Sequence, residues 1–158
     1  MIRRAGPHDV RFLRDMLHHA FYWREASPSE DEPTYRYVYN WGRPGDAGVV
    51  VLDEGFPVGA AWYRLFTADQ PGYGFVDERT PELAIAVVPS RRGRGFGDEL
   101  LTGLFERARE ERHEALTLAV DRGNPAIRLY ERFGFREVRP DGETVVMRAE
   151  LASAAASD

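Results

Sequence analysis

Apolar residues alternate with polar ones in several short segments of the chain, a pattern typical of β-strands. Strands are predicted at residues 2–4, 48–52, 57–66, 82–88, 115–120 and 143–150, with one more just before the last of these. The sequence Asp53-Glu54-Gly55 between the second and third strands predicts a hairpin turn. A loop rich in glycine and proline is predicted at residues 67–80, before the fourth strand.

Helices are predicted where apolar residues recur every three or four positions. The first begins near Pro7–Asp9, and its apolar face consists of Leu13, Met16, Leu17, Ala20 and Phe21. The second follows the fourth strand, and its apolar face consists of Leu100, Leu101, Leu104, Phe105 and Ala108. The third has a face of Ala126, Leu129, Tyr130 and Phe133. A polar break is predicted at residues 26–33, and a short aromatic helix or turn at 34–41.

The order of these elements, β-α-α-β-β-β-α-β-α-β-β, predicts an α/β fold with a mixed sheet and helices on both of its faces. At 158 residues the chain fits one domain, which we place at residues 1–150. Residues 151–158 are small and polar, so we expect a frayed C-terminal tail.

The composition excludes several kinds of site. The chain has no cysteine, which rules out disulfides, thiolate metal ligands and a cysteine nucleophile and favours a cytoplasmic location. All 21 basic residues are arginine, so a Walker A loop and lysine Schiff-base chemistry are also excluded. The net charge of −5 argues against nucleic acid, and no apolar run is long enough for a membrane span. The histidines show no metal-ligand spacing, so no metal is expected.

The segment from Glu82 to Gly97 carries the strongest chemical signal. An apolar strand ends at Pro89, and a loop in which arginines alternate with glycines leads into a helix. Glycines allow a ligand to approach the backbone closely, and the free N–H groups of a first helical turn attract anions. The local cluster of Arg91, Arg92 and Arg94 on an acidic protein suits a small polyanion. This segment therefore predicts a binding site for a phosphate-bearing cofactor.

Two segments in the correct order carry a resemblance to a known family. The spacing Arg92-x-x-Gly95-x-Gly97, after Val87-x-Pro89, resembles the pyrophosphate loop of the GNAT family of acetyl-CoA-dependent N-acetyltransferases. Residues 118–135 resemble the family's second signature: a strand, Asn124, a helix with Tyr130, and a closing Gly-Phe pair. The resemblance covers nearly the whole chain and implies the acyl-CoA N-acyltransferase fold, whose central strand separates from its neighbour and admits the cofactor.

The resemblance implies acetyl-CoA as co-substrate and assigns it a set of contacts. The pyrophosphate is expected on the amides of residues 92–97, and the pantetheine arm along the backbone of the fourth strand. The expected cofactor-binding residues are Ile85, Val87, Arg92, Gly93, Arg94, Gly95, Gly97, Asn124 and Tyr130. Asn124 has an alternative explanation that needs no ligand, since asparagine is a good helix N-cap. The side chains of Ile85 and Val87 are expected to be buried in the core.

Two residues are candidates for proton transfer to an amine acceptor. Tyr130 matches the family's general acid, which protonates the departing thiolate, although an amphipathic helix also explains its position. Glu82 is the candidate base, directly or through water, while Asp77 and Glu78 lie just upstream and could attract a cationic amine. A solvated acidic loop is the alternative for all three carboxylates, and many members of the family have no dedicated protein base.

The predicted reaction is direct attack of a primary amine on the thioester in a ternary complex. The acceptor is a small molecule or a peptide, and a homodimer is the family default. An aromatic cluster near residues 35–41 either lines the acceptor site or packs in the core. Two alternatives remain: a non-catalytic acyl-CoA-binding or sensing module on the same fold, and a dinucleotide-binding domain. The missing third glycine of G-x-G-x-x-G counts against the second.

Overall fold

The computed structural model of the protein describes residues 1–21 and 33–151. Most of the predicted polar break and the predicted tail lie outside the described residues. The strands are β1 (Ile2–Arg4), β2 (Ala47–Asp53), β3 (Phe56–Arg64), β4 (Glu82–Val87), β5 (Ala115–Asp121), β6 (Arg136–Asp141) and β7 (Thr144–Glu150). The α-helices are α1 (Val10–Phe21), α2 (Phe96–Glu110) and α3 (Ile127–Arg132). Short 3₁₀ turns occupy Pro7–Asp9, Pro33–Tyr37 and Pro89–Arg91.

The seven strands form one mixed sheet in the order β1-β2-β3-β4-β5-β7-β6. All neighbouring pairs are antiparallel except β4 and β5, which are parallel. This is the predicted mixed α/β sheet. The predicted aromatic helix at residues 34–41 is shorter, a 3₁₀ turn over Pro33–Tyr37.

Helices cover both faces of the sheet, as predicted. α1 packs Leu13 and Leu17 onto one face, against side chains that include Val50 and Trp62. α2 packs its apolar side onto the opposite face, in the cluster that contains Val49. Because successive strand residues point to opposite faces, the unbroken apolar run of β2 is buried on both sides.

The first helix begins slightly later than predicted. Pro7–Asp9 forms a 3₁₀ turn, and α1 begins only at Val10. Asp9 closes that turn by accepting a hydrogen bond from the Gly6 amide at 2.7 Å. Its carboxylate also forms two bonds of 2.8 Å with the Arg3 guanidinium. The side chain predicted near the N-cap therefore joins β1 to the start of α1.

A buried ion pair fixes the segment that precedes β2. Arg64, with no exposed surface, donates to both carboxylate oxygens of Asp46, at 3.0 and 2.6 Å. Its Nη1 donates to the carbonyl oxygens of Arg36 and Tyr39, at 2.8 and 2.7 Å. These two carbonyls flank Tyr37, so the last strand position of β3 determines where the Tyr37 side chain lies.

We predict that Asp46→Ala lowers the free energy of unfolding by about 3–5 kcal/mol, because it leaves a buried guanidinium without its counter-ion. Urea denaturation measures this change. The matched control is Glu150→Ala, which breaks the exposed Arg148–Glu150 pair at 3.2 Å and should cost less than about 1 kcal/mol. Equal costs for the two variants would contradict the role assigned to the buried pair.

Candidate active site

The parallel strands β4 and β5 separate almost as soon as they meet. They share one residue pair, Glu82 with Thr117, next to a hydrogen bond of 3.0 Å from the Thr117 amide to the Pro81 carbonyl. On its other side β4 pairs with β3 along its whole length. β4 therefore has an open edge from Leu83 onward.

The backbone of β4 alternates its polar groups between its two sides. The Val88 amide donates to the Val58 carbonyl at 2.8 Å, so even-numbered positions face β3. The odd-numbered positions, which include Ile85 and Val87, face the open edge. A separated edge offers backbone groups that have no partner strand to a ligand with amides of its own.

A cleft of about 600 Å³ begins at this open edge. β4, the loop after it, the start of α2 and helix α3 form its walls. The predicted cofactor residues that line it are Ile85, Val87, Arg92, Gly93, Gly95, Gly97, Asn124 and Tyr130. Arg94 does not line the cleft. Its guanidinium lies 3.9 Å from Asp53, at the far end of β2.

Different physical constraints explain why glycine occupies positions 93, 95 and 97. Gly93 and Gly95 have φ of +78° and +85°, a left-handed conformation that other residues rarely adopt. Gly97 packs closely against α3: an added Cβ would lie 2.8 Å from Leu129 Cδ2, so the leucine side chain would have to shift. No side chain caps the N-terminus of α2, so the first-turn amides have no helical partner and favour an anion together with the helix dipole.

Arginines from two elements add positive charge to the cleft. Arg92 donates through Nε to the Val87 carbonyl at 3.3 Å, and Arg91 donates to Asp53 at 2.9 Å. Arg128 and Arg132, which were not predicted as site residues, also line the cleft from α3, and Arg132 donates to Asp98 at 3.0 Å. Their spacing of four residues was the available signal, because it places both on one helix face. Together these side chains suit a phosphate-rich ligand.

A second cavity of about 230 Å³ lies between the separated strands β4 and β5. Four residues line both this cavity and the cleft: Ala20, Ile85, Asn124 and Tyr130. A ligand in the cleft can therefore extend an arm inward between the strands. Tyr130 and Asn124 lie where that arm enters.

Asn124 and Tyr130 each combine a structural position with exposure to the cavities. The Asn124 carboxamide oxygen accepts a hydrogen bond from the Ala126 amide at 2.9 Å, which stabilises the turn that leads into α3. Tyr130 is 7% exposed, and burial raises the pKa of its phenol. Its hydroxyl is thus protonated at neutral pH.

Glu82 is buried at the point where the strands separate, with 1% of its surface exposed. Its Oε2 accepts a hydrogen bond from the Tyr37 hydroxyl, which in turn accepts one from the Tyr73 amide at 2.9 Å. Its Oε1 has no hydrogen-bond partner among the described residues. Burial raises the pKa of Glu82 to about 7, while the bond from Tyr37 acts in the opposite direction. A carboxylate with this pKa can exchange protons at neutral pH.

The other two candidate carboxylates have turn-forming roles. Asp77 accepts bonds of 2.9 Å from the Arg79 and Thr80 amides and from the Thr80 hydroxyl. The bond from the Thr80 side chain is the main reason that the pKa of Asp77 is lowered. Glu78 accepts a bond of 2.8 Å from the Ala68 amide. Neither residue lines the cleft or the second cavity.

Two further residues near the site, Tyr37 and His19, were not predicted from the sequence. Tyr37 belonged to an aromatic cluster that sequence patterns could not resolve, yet its hydroxyl contacts Glu82. His19, at the end of α1, lines the cleft, and burial is the main cause that lowers the pKa of its imidazole. No local pattern marks either residue, because α1 and the 3₁₀ turn reach the site only through tertiary packing.

In the part of the chain that the structure describes, no three His, Asp or Glu side chains form a group that could hold a metal ion. Within the same residues, no helix has both the length and the apolar character needed to cross a bilayer.

Part of the chain is similar in sequence to a protein of known activity. The chain is 40% identical over 74 residues to an L-methionine sulfoximine/L-methionine sulfone acetyltransferase of Pseudomonas aeruginosa. The match spans 46% of this chain and 42% of that protein, less than half of its length.

Solved structures extend the comparison over nearly the whole chain. A ribosomal-protein-alanine N-acetyltransferase from Brucella melitensis has a TM-score of 0.69 and 29% identity, covering 96% of this chain and 99% of its own. A phosphinothricin acetyltransferase from Sinorhizobium meliloti, solved in complex with AcCoA, shares the fold, with a TM-score of 0.70 and 24% identity. That comparison covers 98% of this chain and 90% of the other.

The family comparison covers the part of the chain that forms the site. The sequence model of the acetyltransferase (GNAT) family matches residues 12–135, from α1 to the Gly-Phe pair after α3. The matched range contains the open edge of β4, the glycine loop and Tyr130. The chain belongs to the acetyltransferase (GNAT) family.

Proposed function

We propose that this protein, as a single domain at residues 1–150, transfers the acetyl group of acetyl-CoA to a primary amine. The observation that carries the proposal is the single residue pair between β4 and β5, which opens a cavity that is continuous with the glycine-loop cleft. The chain has no cysteine to carry the acetyl group, which favours direct attack of the amine in a ternary complex. When bound, acetyl-CoA supplies an acetyl group activated as a thioester.

The cleft fits the pyrophosphate part of the co-substrate. The amides between Arg92 and Gly97, the α2 dipole and the nearby guanidiniums provide donors for a diphosphate. The backbone of Ile85 and Val87 offers hydrogen bonds to the amide-containing arm. These contacts would direct the thioester end into the second cavity, between the strands.

Glu82 and Tyr130 are proposed to move two protons of the reaction. Ionised Glu82 accepts a proton from the ammonium group, directly or through water, and frees the nitrogen lone pair for attack. The new N–C bond forms as the C–S bond breaks, and the nitrogen then releases its second proton to water, which leaves the neutral amide. The Tyr130 hydroxyl gives its proton to the departing sulfur, and solvent then restores the phenol.

The amine acceptor is proposed to be a small amino-acid-like molecule. The Pseudomonas aeruginosa relative is named for two amino-acid derivatives, L-methionine sulfoximine and L-methionine sulfone. The match to that protein covers less than half of its length, so its substrates serve here as the first acceptors to assay.

We also propose that the protein is cytoplasmic and forms a homodimer. The lack of cysteine supports the location. The outermost strand, β6, is exposed at all six positions, and an exposed edge strand offers backbone groups to a second copy. Light scattering distinguishes a dimer from a monomer.

We predict that Gly95→Ala weakens CoA binding by tenfold or more, because alanine disfavours the left-handed backbone that directs the loop amides at the anion. Isothermal calorimetry with CoA measures the change. Gly142→Ala is the matched control: it too has a positive φ, +65°, and open space for a Cβ, but it lies in the β6–β7 turn. Both variants should lose similar stability, and only Gly95→Ala should lose affinity. Equal CoA affinity in the two variants would contradict the assignment.

We predict that Tyr130→Phe lowers kcat by about 10²–10⁴ while the Kd for CoA changes little, since the variant loses only the proton donor. Thiol release measures kcat. The matched control is Tyr63→Phe, a buried tyrosine of β3 that lines neither the cleft nor the second cavity. A wild-type protein that binds acetyl-CoA but acetylates no amine would support the non-catalytic module in place of the enzyme.

We predict that kcat/KM increases as the pH rises through about 7, because Glu82 must lose its proton to act as a base. Tyr37→Phe removes a hydrogen bond that stabilises the carboxylate, so the pKa of Glu82 rises and the acid limb moves to higher pH by about one unit. Arg139 also lowers this pKa and is unchanged in the variant.

Glu82→Gln should reduce the rate and abolish that acid limb. pH–rate profiles recorded with two acceptors of different amine pKa separate the enzyme's ionisation from that of the acceptor. A profile that Glu82→Gln leaves unchanged would exclude Glu82 as the base.

A further inference from the structure

A third cavity, of about 410 Å³, opens on the other side of Tyr73 from the space between the separated strands. Three elements that are distant in sequence form it: the 3₁₀ turn before β2, the loop before β4, and strand β6. Its lining residues are Arg36, Pro71, Gly72, Tyr73, Phe75, Arg139 and Asp141. The proposed acetyl-CoA contacts use none of these residues.

The cavity adjoins the buried carboxylate of Glu82 through a glycine. A Cβ added at Gly72 would lie 2.2 Å from Glu82 Oε1 and 2.8 Å from the Tyr37 hydroxyl oxygen. Any other residue at position 72 would place its Cβ on top of Glu82 Oε1, so the glycine lets the carboxylate lie directly against this loop. Tyr73 lines both this cavity and the one between the strands.

Two guanidiniums and one carboxylate, Asp141, line this cavity, so its charged side chains leave a net positive charge. The Arg139 guanidinium has no ion-pair or hydrogen-bond partner among the described residues, and its charge lowers the pKa of Glu82. Arg36 is anchored by a bond of 2.8 Å from Nη1 to the Pro71 carbonyl, which leaves its other nitrogen donors available. A planar carboxylate can accept bidentate hydrogen bonds from such guanidiniums.

We propose that this cavity binds the acceptor and that Arg139, assisted by Arg36, binds a carboxylate of that acceptor. The acceptor is thus an amino acid or a close analogue, with its amine turned toward Glu82 and the separated strands. This inference rests on the proposed acetyl transfer and specifies its substrate class. It differs from the expectation that Asp77 and Glu78 attract a purely cationic amine, because those carboxylates accept hydrogen bonds from their own loops.

If Arg139 binds the acceptor's carboxylate, the enzyme should prefer acids over their carboxamides, which a purely structural arginine would not cause. An acceptor with a free carboxylate should react better than its carboxamide, which has nearly the same shape but no charge. The preference in kcat/KM should be about tenfold to a hundredfold, the usual effect of a charge-assisted hydrogen bond. It should come mainly from KM, since the contact is made in both the bound substrate and the transition state.

The experiment measures acetylation of matched pairs, each an L-amino acid and its carboxamide, across the common amino acids and L-methionine sulfone. Wild-type protein is compared with Arg139→Gln, Arg139→Lys and the control Arg11→Gln, which removes an exposed guanidinium of α1 that lines none of the three cavities. Arg139→Gln should remove the preference for the acid over its carboxamide, measured at a pH well above 7 because loss of Arg139 also raises the pKa of Glu82. Arg139→Lys should keep part of the preference, because it retains the charge but not the bidentate geometry. Arg11→Gln should behave as wild type.

Two results would overturn the inference: wild-type protein that uses acids and amides equally, or Arg139→Gln that keeps the wild-type preference. If no acceptor is acetylated, the proposed function fails. Calorimetric titration of the same pairs in the presence of CoA then tests the cavity by itself. Tighter binding of the acids that is lost in Arg139→Gln would support the inference, and equal or absent binding would reject it.

Discussion

The separation of β4 from β5 after one residue pair is the constraint on which the rest of the site depends. A parallel pair that continued would use the backbone groups of Ile85 and Val87 within the sheet and close the space between the strands. The separation leaves those groups without a partner strand, and the glycine-loop cleft and an inner cavity share lining residues there. Strand β3 pairs with β4 throughout, and α1 and α2 cover both faces, so the sheet tolerates the opening.

The same separation point holds the buried carboxylate of Glu82. Glu82 pairs across the sheet with Arg64, whose guanidinium is occupied by Asp46 and by the two carbonyls beside Tyr37. The Asp46–Arg64 ion pair thus acts on Glu82 indirectly, by placing the Tyr37 hydroxyl against it. A buried glutamate with a pKa of about 7 destabilises the fold at higher pH, where it must ionise. Such a cost at a site that must exchange protons is consistent with function rather than with stability.

The three cavities near the separated strands differ in chemistry. Backbone amides and arginines line the cleft, mostly apolar side chains line the inner cavity, and Arg36, Arg139 and Asp141 line the third. Tyr130 lines both of the first two cavities, and Tyr73 lines both of the last two. The proposed ternary complex places one ligand in the cleft and the other in the third cavity.

The strands, the two longer helices and the glycine loop could all be predicted from sequence, because their signals are local: period-two or helical apolar spacing, left-handed glycines and a helix start. The family resemblance rested on the same short segments and was confirmed over residues 12–135. The roles of single site residues, including Glu82 and Tyr130, stay predictions until they are measured.

Tertiary structure alone decided which of several plausible side chains meet. Tyr37 reaches Glu82 from 45 positions away, Arg94 turns from the cleft toward Asp53, and Arg36 shares a cavity with Arg139 on the far strand of the sheet. No periodicity encodes such contacts, because they depend on how helices and loops pack on the sheet. The sequence by itself determined the glycine loop and its neighbouring elements, because their signals are local, while packing determined the surroundings of Glu82 and the cavity that Arg36 and Arg139 line.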